Sequence, residues 1–271
     1  MEKENNKKFQ SFMKKENFFP SKKMGQNFLI DQNTKEKIVN TIEINEDDNV
    51  VEIGPGFGAL TKIILTKTKN LEVIELDKRL VEFLTNEFPG LKIYNSDVLK
   101  FDFKNLKKEK YKIVSNLPYS VSSKIILKLL KEANFDKALF MVQKEMADRL
   151  IAKCGSKKYN NFTVLLSITS KIKKEFDVPP SCFYPKPEIY STIISFSKNE
   201  SFDFDNFQKL EKFLLKTFSQ KRKTIFNNLK NYFDISLINK VLSEFNIDPK
   251  TRPENIEVNI YKEMYLKFYD N

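Results

Sequence analysis

The 271 residues, 41% of them hydrophobic, suffice to bury a full α/β core and a smaller second unit. No run approaches the ~20 apolar residues of a membrane span, and the absence of histidine excludes Ser-His-Asp and Cys-His nucleophilic sites and any His-ligated metal, so no metal is expected. The net charge of +11 points to a polyanionic partner, although only four of the 47 basic residues are arginine (Arg79, Arg149, Arg222, Arg252) and the excess is dispersed, +4 in residues 1–23, +6 in 24–198 and +1 in 199–271.

Residues 1–23 are polar with scattered phenylalanines, lack the apolar core of a signal peptide, and are expected to form a mobile extension. Cys154 and Cys182 show no C-x-x-C spacing and read as thiols of a reducing cytoplasm.

Asn49-Val50-Val51-Glu52-Ile53 reads as a buried strand running into Gly54-Pro55-Gly56-Phe57-Gly58-Ala59, followed by a helical pattern through Leu60, Ile63, Ile64 and Leu65. Strand, glycine turn and helix make a nucleotide-cofactor loop, because glycine lets a ligand approach the backbone closely. Gly54, Gly56 and Ala59 also satisfy G-x-G-x-x-A, which leaves a nicotinamide enzyme open. The next strand, Leu71–Glu75, ends in an acid about 20 residues beyond the glycines, where a carboxylate can hold two ribose hydroxyls. Leu91–Tyr94 leads to Asn95-Ser96-Asp97, and Asp97 can accept a hydrogen bond from an adenine amine. Each acid alone reads equally as a cap or a loop residue. Their arrival at successive strand ends points to one site at the carboxyl edge of an open sheet.

The apolar run Tyr111–Ser115 then delivers Asn116-Leu117-Pro118-Tyr119 to that edge. This turn suits methyl transfer to the exocyclic amine of a base, a poor nucleophile whose lone pair is delocalised into the ring. The Asn116 amide oxygen and the Leu117 carbonyl can accept its two N–H bonds, aim the lone pair and stabilise the charge developing on nitrogen. Pro118 stiffens the turn, and Tyr119 can stack on an unpaired or flipped base. The plainer alternative is a strand-ending turn with a half-buried tyrosine.

Further strands are expected near Ala138–Val142 and Ser191–Ser197, with helices over 144–152 and 162–170, the second also readable as a strand. Pro179-Pro180, Pro185 and Pro187 punctuate the loop carrying Phe183. A polar break at Lys198-Asn199-Glu200-Ser201 predicts a boundary between a catalytic domain, 24–198, and a helical domain, 199–271. Two basic clusters, Lys171/Lys173/Lys174 and Lys221-Arg222-Lys223, suit phosphate contacts or solvated faces.

From Lys22 to Tyr261 the chain resembles the ribosomal RNA adenine N6-dimethyltransferases that use S-adenosylmethionine (SAM). The likeness rests on Gly25-Gln26-Asn27-Phe28-Leu29, the glycine loop, Glu75, Asp97, the Asn-Leu-Pro-Tyr turn, Met141–Glu145, Phe183-Tyr184-Pro185-Lys186-Pro187, Lys221–Thr224 and Arg252-Pro253-Glu254-Asn255. It implies a Rossmann-like methyltransferase domain with a small C-terminal helical RNA-binding domain. Asn27 and Leu29 would close over SAM, Gly54 and the Gly56 turn lie against its amino-acid end, Glu75 bind the ribose and Asp97 the adenine. Asn116 would serve both the cofactor edge and the target amine, Phe183 would provide a second aromatic wall, and Lys221, Arg222 and Lys223 would meet RNA. No general base is needed, since the methylated amine is acidic enough to lose its proton to water.

The segment Phe218–Leu229 resembles the housekeeping branch, which dimethylates two adjacent adenosines in the 3′ hairpin of small-subunit rRNA, rather than the branch acting on the large subunit. The expected partner is therefore small-subunit rRNA in a pre-30S particle, met by a monomer away from membranes. Asn160-Asn161 stands where Gly-Arg is usual and Lys221 where Arg is common, which changes the contacts available there.

Overall fold

The computed structural model describes residues 18–21, 25–106, 108 and 110–269. The first half runs β1 (Phe28–Leu29), α1 (Gln32–Ile42), β2 (Val50–Ile53), α2 (Thr61–Ile64), β3 (Leu71–Glu75), α3 (Lys78–Glu87), β4 (Lys92–Asn95), β5 (Tyr111–Asn116), α4 (Ser122–Glu132) and β6 (Phe135–Gln143). The second half continues with α5 (Lys144–Leu150), α6 (Asn161–Thr169), β7 (Ser170–Val178), β8 (Phe183–Tyr184), β9 (Ser191–Lys198), α7 (Phe207–Thr217), α8 (Ile225–Leu229), α9 (Ile235–Glu244) and α10 (Val258–Tyr269). Among the described residues no helix is long and apolar enough to cross a membrane.

A seven-stranded sheet has the order β4-β3-β2-β5-β6-β9-β7. Strands β2 to β6 pair in parallel and β9 runs antiparallel to β6. Every residue of β2 is buried, as a central parallel strand covered on both faces requires. The chain steps outward from β2 to β3 and β4, then returns to the other side with β5, so the carboxyl ends of β2 and β5 flank the switch-point crevice where such sheets bind ligands. Helix starts follow their capping residues: Asp31 accepts from Thr34 N–H at 2.8 Å and Asp77 from Arg79 N–H at 3.1 Å. Helix α4 turns Ile125, Ile126, Leu129 and Leu130 inward at helical spacing.

The chain divides into two compact units, one of residues up to 144 with 173–197, the other of 145–172 with 198–271. The expected boundary at 198/199 is therefore incomplete, because 145–172 groups with the C-terminal helices. Helix α6 explains this: it buries Val164, Leu165, Leu166 and Ile168 and packs on α7 and α10. In the same unit Phe213 is ringed by Phe233, Tyr265, Phe268 and Tyr269. The Arg-Pro-Glu-Asn turn is a structural knot here: Gly155 N–H bonds the Glu254 carbonyl at 2.7 Å, and the Tyr159 and Tyr261 hydroxyls bond the Ile256 and Pro253 carbonyls. Asn160, a departure from the family pattern, caps α6 by accepting from the N–H groups of Phe162 and Thr163 at 2.8 and 3.2 Å.

Two further expectations change. The mobile extension expected over residues 1–23 does not hold at Phe18, which is 1% exposed and packed against Phe28 and Phe57 with the Arg79 guanidinium 4.3 Å from its ring centre; residues 1–17 and 22–24 lie outside the described residues. Strand β7 is absent from the expected elements, since its polar sequence hides it, and it carries the first basic cluster. Lys173 pairs with Glu175 and Lys174 with Asp177, each at 2.8 Å, so two of those three lysines are engaged in ion pairs.

Gly58 sets how closely the glycine turn meets α3. Its φ is +73°, and an added Cβ would lie 2.5 Å from Phe88 Cε2 and 3.2 Å from Leu84 Cδ2. Gly58→Ala is expected to destabilise the protein by about 2 kcal/mol, combining left-handed backbone cost with overpacking. Urea unfolding would measure this, and a change below ~0.5 kcal/mol would contradict the close packing.

Candidate active site

One cavity of about 490 Å³ collects all seven residues expected at the cofactor: Asn27, Leu29, Gly54, Gly56, Glu75, Asp97 and Asn116. Gly54, with φ +67°, bonds the Ile74 carbonyl through its N–H at 2.9 Å, and a Cβ built on it meets nothing within 4 Å. The loop thus leaves open space where a ligand can lie against the backbone.

The Glu75 carboxylate accepts from Gly56 N–H at 3.2 Å and Asp77 N–H at 2.9 Å, joining the ends of β2 and β3. Burial pushes its pKa up, against these hydrogen bonds. Asp97 accepts from Leu99 N–H at 2.9 Å, which turns the chain at the end of β4 and fixes the carboxylate in the cavity wall. Leu76, 51% exposed and lining the same cavity, gives a flat apolar ligand a surface to cover.

On the opposite side, β5 presents the turn. Asn116 donates its Nδ2–H to the Asn27 carbonyl at 3.0 Å, so the side-chain atom left over, Oδ1, is an acceptor. Leu117 is buried and its N–H bonds the Met141 carbonyl at 3.1 Å, while Val121 N–H closes the turn on the Pro118 carbonyl at 3.2 Å. Pro118 lines the cavity and lies against Gly25, whose φ of +63° lets the N-terminal arm cross the turn. The half-buried Tyr119 has its hydroxyl 2.9 Å from Ser191 Oγ, which orients the ring. Neither Leu117 nor Tyr119 lines this cavity.

Phe183, expected as a second aromatic wall for the base, does not line the cofactor cavity. It is 3% exposed, belongs to the main hydrophobic cluster and pairs with Leu29 across β1 and β8, so it holds the N-terminal arm from beneath rather than walling the cavity. Lys221, Arg222 and Lys223 lie in the second unit on an exposed loop between α7 and α8. That loop is stapled by the buried Asn228, whose Nδ2 donates to the carbonyls of Thr217 at 2.8 Å and Gln220 at 3.3 Å while its Oδ1 accepts from Ser219 Oγ at 3.3 Å.

Two contributions escape a reading of the sequence. Glu52, 2% exposed on β2, faces the cavity and accepts from Thr61 Oγ1 at 2.5 Å. Its signal is an ionisable residue inside an otherwise apolar strand. The second is an aromatic ladder, Phe18–Phe28–Phe57–Phe83, whose last three rings line the cavity. It gives no periodic signal because its members come from four separate segments.

The cavity fits SAM in its chemistry. Two buried acids, Glu52 and Glu75, suit a cofactor that bears a sulfonium and an ammonium; the Gly54 opening suits its amino-acid end, and Leu76 with Asp97 suits adenine.

Burial, with the nearby Glu75 adding to it and the Thr61 bond opposing, raises Glu52 to about 8. The folded state therefore keeps a proton that the unfolded chain has released above the ordinary carboxylate range. This stability contribution is full below that range and is lost as pH rises through about 8, with a slope of up to about 1.4 kcal/mol per pH unit. Glu52→Gln is expected to flatten the decline between pH 5 and 8.5 in urea unfolding, and parallel curves for mutant and parent would refute the assignment.

Comparison with known proteins agrees with this geometry. Residues 18–269 match the family model for ribosomal RNA adenine dimethylase. A ribosomal RNA small subunit methyltransferase A of Malacoplasma penetrans is 66% identical, covering 97% of this chain and 97% of its own. The crystal structure of a dimethyladenosine transferase from Plasmodium falciparum has a TM-score of 0.79 at 27% identity, covering 90% of this chain and 98% of that one. The 23S rRNA methyltransferase ErmE, at 20% identity and a TM-score of 0.70 over 90% of this chain and 100% of its own, shares the Rossmann-like fold. The ambiguity of the glycine loop is resolved in favour of a methyltransferase: the chain belongs to the ribosomal RNA adenine dimethylase family.

Proposed function

We propose that this chain dimethylates the N6 amines of two adjacent adenosines in the 3′-terminal hairpin loop of small-subunit (16S) rRNA, using SAM. Its chief support is the Asn116 side chain, held by its bond to the Asn27 carbonyl so that an acceptor oxygen stands where β5 meets the cavity. SAM, when bound, supplies the electrophilic methyl group. Glu75 holds the ribose, Asp97 the adenine amine, and Gly54 lies against the amino-acid end, with Asn27 and Leu29 closing the site. The Asn116 oxygen and Leu117 carbonyl accept the two N–H bonds of the target amine and direct its lone pair into the cavity. Tyr119, its hydroxyl tied to Ser191, stacks on the base. The proton of the methylated amine leaves to water.

Lys221, Arg222 and Lys223 meet phosphates, and the second unit reads folded RNA by shape. The setting is a pre-30S particle in the cytoplasm, engaged by a monomer without a metal.

The test is incubation with radiolabelled SAM and small subunits from cells lacking this modification, with matching large subunits in parallel. Dimethyladenosine mapped to the small-subunit 3′ hairpin is expected; label confined to large subunits, or none, overturns the reading. Asn116→Ala is expected to lower turnover at least ~10²-fold, the scale of losing one preorganised transition-state contact, while leaving the unfolding midpoint close to the parent's. Near-normal turnover by the folded variant would remove Asn116 from its role.

A further inference from the structure

The end of β8 and the loop 185–190 that leads to β9 expose three large apolar side chains: Tyr184 at 48%, Ile189 at 40% and Tyr190 at 49%. A single exposed apolar residue is ordinary, but a cluster beside a functional turn is not. Tyr190 is placed firmly. Its carbonyl accepts from Lys144 N–H at 3.0 Å, and the next residue, Ser191, pairs with Gln143 at the start of β9 and anchors the Tyr119 hydroxyl at 2.9 Å. Tyr190 is thus one residue, about 3.8 Å between Cα atoms, from the group that orients the proposed base-stacking ring.

A cation accompanies the ring. Lys144 Nζ lies 5.7 Å from the Tyr190 ring centre and 3.2 Å from Asp177, which steadies it. The loop itself adds the exposed Lys186 and one acid, Glu188. An exposed aromatic face with an adjoining ammonium combines the two elements by which proteins hold unpaired nucleic acid, a stacking platform and a phosphate contact. A half-exposed tyrosine beside a catalytic turn also has little folding role to explain it, because its ring makes no aromatic contact among the described residues.

We propose that Tyr190, with Lys144 beside it, is a stacking subsite for the base adjacent to the target adenosine. It rests on the methyltransferase reading and deepens it by placing a second nucleotide. Where two neighbouring adenosines are modified in turn, this ring takes the base that is not in the Tyr119 site, so the strand stays held while the bases exchange. Tyr190 is a binding residue and does not touch the reacting atoms.

The test uses the full chain, unmethylated small subunits and the variants Tyr190→Ala, Tyr190→Leu and Tyr190→Phe. Ala and Leu are expected to raise KM for small subunits about fivefold or more, the fold-change equivalent to ~1 kcal/mol of lost stacking, with kcat and SAM affinity within about twofold of the parent. Phe, which keeps the aromatic face, is expected to restore KM. Unchanged KM in Tyr190→Ala overturns the subsite, and rescue by Leu as complete as by Phe overturns stacking in favour of general apolar contact, as with a protein partner. If the parent itself transfers no methyl group to small subunits, the functional reading fails and the subsite with it; methylation by the parent with an indifferent Tyr190 removes the subsite alone.

Discussion

One hydrogen bond, from Asn116 Nδ2 to the Asn27 carbonyl, organises the rest of the site. It joins the end of β5 to an N-terminal arm whose strand β1 pairs with the short strand β8, and it decides which atom of the Asn116 amide faces outward. Because a carboxamide has one donor end and one acceptor end, committing the donor to the arm makes the exposed end an acceptor. The residues on either side of this contact, Asn27 and Leu29 on the arm and Asn116 on the turn, line the same cavity.

The cavity beneath is electrostatically unusual. Glu52 and Glu75 are both buried, on neighbouring strands, and burial raises the pKa of each. Asp77, whose ionisation burial also opposes, is held below its usual range by hydrogen bonds from Arg79 and Gln26, so the charged form is favoured at this rim while burial favours the neutral forms of Glu52 and Glu75 inside the cavity. A cation bound beside these two acids would favour their ionised forms, whereas an anion would oppose them.

Much of this is legible in the sequence because parallel strands announce themselves as short apolar runs, and the residues just past each run arrive at the same edge. Gly54, Glu75, Asp97 and Asn116 can be placed together on that ground alone. The hidden part depends on contacts between distant segments. Phe18 looks like part of a polar tail until the rings and the arginine around it are seen. Strand β7 lacks an apolar stripe, and α6, apolar on most sides, gives no sign of which unit it joins. Phe183 shows what a recognised string does not carry: nothing in it signals that this ring is buried in the core or that its backbone pairs with Leu29.

The buried Asn228 carries a consequence of its own. Residues 199–271 hold 12 basic against 11 acidic side chains, so within this stretch Lys221–Lys223 is a local cluster of charge in a nearly neutral background. With its amide bonded to the Thr217 and Gln220 carbonyls, Asn228 orders the backbone that leads into Lys221–Lys223, so that part of the loop's ordering entropy is lost during folding. A phosphate contact made from such a loop would pay little further backbone ordering, and because it would involve three cations at most, its share of binding would depend only weakly on salt.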